Sequence, residues 1–169
     1  SGDMGFEYAC LPHFPALASA LRAPGGVDAF LDAFHAAPKK RSARFFDVIN
    51  TFAMAACYSP DPSQPRGVAL PVDVETGELR EDVWRRWLAH DPVRIVETPA
   101  AQEALRAMRL VYLDCGTRDE YHLDLGARMF SARLRRAGVA HYHEEFDDGH
   151  SGTAYRYDVS LPLMYAALR

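Results

Sequence analysis

Leu110-Val111-Tyr112-Leu113-Asp114-Cys115-Gly116-Thr117-Arg118-Asp119 is the stretch whose reading decides the fold. Four apolar residues in a row are what a strand buried on both faces carries. The Asp-Cys-Gly-Thr-Arg-Asp that follows is turn-forming. Beyond it, Leu123, Ala127, Phe130, Leu134 and Ala137 share one stripe of a helix expected over 121–137. Arg133, Arg135 and Arg136 crowd its last turn, where cations suit the helix dipole, and Gly138 stops it. Val139 to Phe146 reads as a second strand, with Asp147-Asp148-Gly149-His150 as the loop leaving it. A strand–helix–strand crossover makes the two strands parallel, so both loops leave the same carboxyl edge. A last helix is expected over 159–168, with Pro162 tolerable only near its first turn.

Upstream, the pattern changes. Residues 10–108 read as mainly helical, a cap or insertion, and 109–169 as the strand–helix–strand–helix part of a single domain, 1–169. Pro12, Pro15, Pro24 and Gly25-Gly26 punctuate a loop-rich start. Val27, Phe30, Leu31 and Phe34 predict a helix over 27–37, ended by Pro38-Lys39-Lys40-Arg41, a solvated loop. Ser42 is placed to cap a second helix, apolar nearly all round and therefore buried. After a loop over 59–67, Val68, Leu70, Val72 and Val74 alternate up to the turn Glu75-Thr76-Gly77-Glu78, as in a short hairpin or an extended arm. Val83, Trp84, Trp87 and Leu88 mark another helix, and Thr98-Pro99 opens one more, to about Met108.

The chain has 169 residues and a formal net charge of −4. That length suits one domain with a real core, and the charge argues against a nucleic-acid partner. No apolar run reaches the roughly 18 residues of a membrane span. Cys10, Cys57 and Cys115 are scattered and odd in number, which points to free thiols in a reducing cytoplasm. Ser1-Gly2-Asp3-Met4 does not read as a signal peptide; two readings stay open, a tag scar before an initiator at Met4 and a start in the middle of a larger domain.

The chemistry concentrates on the two loops, one offering Asp119 and the other His150. In open parallel sheets the carboxyl edge is where catalytic groups gather. A carboxylate followed by a histidine there is the chain order of a hydrolase triad after its serine. A serine hydroxyl needs a histidine to take its proton, and the carboxylate holds that imidazole in the right tautomer. Gly149 and Gly152 let the histidine loop turn sharply.

From Trp84 onward the sequence resembles the esterase D/enterochelin-esterase-like branch of the α/β hydrolases. The resemblance is carried by Trp84-x-x-Trp87 with Asp91-Pro92, by Leu113-Asp114-Cys115-Gly116-x-x-Asp119-Glu120, and by Glu144-Glu145-Phe146-x-x-Gly149-His150. Weaker similarity reaches back through Phe6-Glu7 to Ser1-Gly2-Asp3. It implies an α/β fold, the carboxyl-terminal portion of an α/β-hydrolase three-layer sandwich. It also implies an ester hydrolase with Asp119 as acid, His150 as base and no cofactor. Trp84 and Trp87 would then line an acyl pocket, although a plain core role fits them equally. The family's Gly-x-Ser-x-Gly elbow is absent around every serine. The nucleophile is therefore expected ahead of residue 1, with the bare sheet edge covered by that missing half or by a second copy. Ester hydrolysis competes with a non-catalytic binding or assembly module that retains the fold.

Asp114 is the rival acid, at the strand end. His141 and His143, with Glu144 and Glu145, have ligand-like spacing, but strand histidines on a solvated face are the commoner outcome and no metal site is expected. Cys115 lacks an elbow and reads as a buried thiol.

Overall fold

The computed structural model describes residues 3–39 and 43–169. The cap expected at Ser42, most of the basic loop (Lys40 and Arg41) and Ser1-Gly2 lie outside the described residues. In chain order the elements are α1 (Phe6–Ala9), α2 (Phe14–Leu21), α3 (Gly26–Ala36), α4 (Ala43–Tyr58), α5 (Glu81–Leu88), α6 (Pro92–Ile95), α7 (Pro99–Arg106), β1 (Tyr112–Gly116), α8 (Leu123–Arg136), β2 (Tyr142–Phe146) and α9 (Tyr157–Leu168). Short 3-10 turns occupy Leu11–His13, Pro65–Gly67 and Thr153–Arg156. The chain divides into two compact units: Cys10–His90, and Ser1–Ala9 with Asp91–Arg169.

The expected three-layer α/β sandwich is not what forms. Helix makes up 57% of the structure, and the one sheet among the described residues has two short strands. The physical reason lies in the sequence period. The strand–helix–strand rhythm occurs once, and among the described residues the regular elements before Arg109 are helices. The alternating Val68–Val74 stretch makes only isolated antiparallel bridges, Pro60 with Val68 and Val72 with Leu79.

In the Cys10–His90 unit, Phe14, Leu17, Leu21, Val48, Trp84 and Trp87 are buried. Phe14 meets both indoles edge-on, at 5.6 and 5.8 Å between centroids. Trp87 Nε1 donates to Ser59 Oγ at 2.8 Å, and Ser59 Oγ donates to the Ala69 carbonyl at 2.6 Å, so the buried indole leaves no orphan donor.

In the other unit β1 and β2 pair in parallel, Tyr112 opposite Tyr142 through Gly116 opposite Phe146. Alternation gives the sheet two different faces. Leu113 packs with Val96, Leu134, Val139 and Phe130 beneath α8. Tyr112, Asp114, Glu144 and Phe146 face the Thr153–Arg156 turn instead. Two side chains in this unit cap helix starts. Thr98 Oγ1 accepts the Ala101 N–H at the start of α7. Asp91, fully buried, accepts N–H groups from Val93, Gly5 and Phe6 at 2.9, 3.0 and 2.9 Å. One carboxylate thus caps α6 and moors the start of α1.

Candidate functional site

Both loops leave the carboxyl ends of their strands and run side by side. Beyond the last paired residues, Thr117 N–H donates to the Phe146 carbonyl and Arg118 N–H to the Asp148 carbonyl, both at 2.9 Å. Gly116 makes this approach feasible, since a Cβ there would overlap the Asp148 carbonyl. Gly152, at φ 78°, turns the histidine loop into the Thr153–Arg156 turn.

The result brings Asp119 and His150 together. His150 Nδ1 lies 3.1 Å from Asp119 Oδ2. The carboxylate side chain is 3% exposed and the imidazole 38%. A buried carboxylate beneath an accessible imidazole favours the tautomer whose Nδ1 proton points at the carboxylate and whose Nε2 carries none. Nε2 has no partner among the described residues. Asp119 Oδ1 accepts the Tyr121 N–H at 2.8 Å, and the Cys115 thiol donates toward Oδ2 at 3.8 Å. Burial, reinforced by the Asp119 and Asp124 charges, pushes that thiol up to about 12, so Cys115 stays protonated.

The pair opens onto a cavity of about 560 Å³ whose walls include Leu123, Ala127, Phe146 and Ser160. That volume is within the range of small-molecule sites. No serine among the described residues hydrogen-bonds His150. The chain does contain one serine–histidine contact, Ser131 Oγ to His141 Nε2 at 2.8 Å, but Ser131 is fully buried in α8 and meets no substrate.

The rival acid is committed elsewhere. Asp114 Oδ2 accepts from Arg156 Nε at 3.0 Å, and the same guanidinium reaches Glu144 at 2.6 Å and lies over the Phe146 ring. Tyr112 donates to Glu144, and that bond, with Arg156, holds the Glu144 carboxyl below its ordinary range. Burial and the Glu144 bond push Tyr112 up to about 12. Sequence reading missed Arg156 because its partners are 42 and 12 residues away.

His141 is saturated, with Nδ1 on the Val139 carbonyl and Nε2 on Ser131. His143 Nε2 is buried without a hydrogen-bond partner, and burial lowers its pKa. Among the described residues no three His, Cys, Asp or Glu side chains converge in a group able to hold a metal ion. Trp84 and Trp87, at 4% and 0% exposure, are core residues of their own unit and present no surface to a substrate. No described helix is long and apolar enough to cross a membrane.

No protein-family model matches this chain. No curated protein matches it by sequence either.

Proposed function

We propose that Asp119 and His150 are the acid and base of a serine-type carboxylic-ester hydrolase acting on a small-molecule ester, with the nucleophilic hydroxyl supplied from outside the described residues. The observation that carries this reading is the 3.1 Å contact of a buried carboxylate with an accessible imidazole on the rim of a cavity. The resemblance of the segments around Asp119 and His150 to esterases points the same way. In this chemistry the hydroxyl attacks the ester carbonyl while its proton passes to His150 Nε2. Asp119 stabilises the imidazolium. The proton then leaves with the alcohol, and water releases the acid by the same route.

A second reading, a binding or assembly module without catalysis, is favoured by the missing Gly-x-Ser-x-Gly and by the absence, among the described residues, of any serine on His150. Exposure to a fluorophosphonate and to a short acyl ester separates the two, applied to this chain alone and to any longer form of the protein. The hydrolase reading expects labelling and His150-dependent turnover once the nucleophile is present. Turnover unchanged by His150→Ala, or no labelling and no turnover in any form of the protein, leaves the module reading.

A further inference from the structure

Asp119, Glu120 and Tyr121 are consecutive, and each touches the same histidine. Asp119 Oδ2 meets the ring at Nδ1. Glu120 Oε2 accepts the backbone N–H of His150 at 3.1 Å. Tyr121 stands edge-on to the imidazole, with centroids 4.8 Å apart and planes at 76°. Three neighbouring side chains fan toward one residue because the segment is a tight turn. The Asp119 carbonyl accepts the His122 N–H at 3.0 Å, and His122 takes a φ of 56°, so the chain reverses into α8.

We propose that Glu120 is a positioning residue for His150. It fixes the backbone from which the imidazole hangs, while Asp119 fixes the ring. The proposal rests on the reading of His150 as the base. The histidine needs a second tether. It is 38% exposed, and its loop, Gly149-His150-Ser151-Gly152, holds small residues that constrain the backbone least. The other ties between the two loops end at Asp147 and Asp148: Arg118 N–H to the Asp148 carbonyl, and Arg118 to Asp147. Glu120 grips beyond that point, its carboxylate lying so close to Gly149 that a Cβ there would press on it at 3.3 Å. A ring held at Nδ1 alone swings about the backbone, and a misplacement of about 1 Å in a catalytic group costs up to roughly 100-fold in rate.

The test is ring and amide NMR on the full chain. The expected result is a single His150 tautomer with the proton on Nδ1 and a backbone amide protected from exchange despite its exposed loop. Glu120→Ala is expected to mix the tautomers and abolish amide protection. Glu120→Gln, whose side-chain oxygen still accepts the N–H, restores both. Where esterase turnover is measurable, Glu120→Ala lowers kcat by about 10-fold or more with KM little changed. A folded Glu120→Ala variant that keeps one tautomer overturns the proposal. So does exchange of the His150 amide at a free-peptide rate in the unsubstituted chain, a measurement that needs no variant to fold. These readouts do not depend on catalysis, so missing ester turnover counts against the hydrolase reading and not against the clamp.

Discussion

Replacing Asp91 with alanine removes the carboxylate that three backbone N–H groups share. All three bonds are 2.9–3.0 Å long, and the residue is fully buried. Hydrogen bonds to a charged group contribute about 1.5–3 kcal/mol each, and a buried donor left unpaired costs about 1–3 kcal/mol. Three donors at Gly5, Phe6 and Val93 therefore sum to about 3–9 kcal/mol. Water reaching the exposed side of α1 and relaxation of the short segment pull the expected value to the lower half, about 3–5 kcal/mol. That is a large share of the roughly 5–15 kcal/mol of a whole domain. Asp91→Asn keeps one acceptor oxygen and turns an amide group toward the remaining N–H groups, so it falls between the two. Urea unfolding followed by circular dichroism gives the numbers, provided the slope stays constant. A loss below about 1 kcal/mol for Asp91→Ala would refute the mooring role, because the three donors would then have found other partners.

Three further outcomes follow from named contacts. Leu134, fully buried beneath the sheet, is expected to cost about 2–5 kcal/mol on substitution by alanine, read in the same unfolding assay. With a thiol reagent near pH 8, Cys57 is exposed and reacts first, whereas Cys115 is buried with its pKa near 12 and reacts only on unfolding; equal rates would contradict the structure. Acid brings two separate losses of stability. His143 is depressed below its ordinary 6.5, mainly by burial, so the unfolded chain binds the extra proton first and stability falls as pH drops below 6.5. Glu145, depressed below 4.5 by its Arg128 bonds, stabilises above 4.5 and loses this as pH falls through its folded value. His143→Gln is expected to erase the first slope and leave the second, as measured by melting temperature against pH.

The unit that carries the site was the most legible part of the sequence. The apolar run before Asp114 and the arginine-rich helix end both mark a crossover, and a crossover places its two loops at one edge. The strand itself begins two residues later than the apolar run and takes in Asp114 and Cys115. Val111 still serves the ladder, through its carbonyl to the Tyr142 N–H, so hydropathy located the strand and pairing set its bounds. Helix α2 was hidden by Pro12 and Pro15, which read as loop punctuation. Pro15 occupies the second helical position, where its missing N–H costs nothing. Pro162 falls inside α9 and not in its first turn, because the preceding Thr153–Arg156 turn starts the helix at Tyr157. The sandwich was an extrapolation from family resemblance: period and hydropathy identify a strand but do not count its neighbours. The Glu120 and Arg156 contacts were invisible for the same reason, since each depends on which residues the crossover sets opposite one another.

The most direct test is ester turnover by the protein, compared among the unsubstituted form, Asp119→Asn, His150→Ala and the double variant. The result expected is a fall of about 10³–10⁴-fold in kcat for either single change, with KM nearly constant and the double variant little worse than the single ones, as for groups that act as a unit. Turnover that is absent throughout, or equal in all four proteins with the fold intact, would contradict an acid–base role for the 3.1 Å pair.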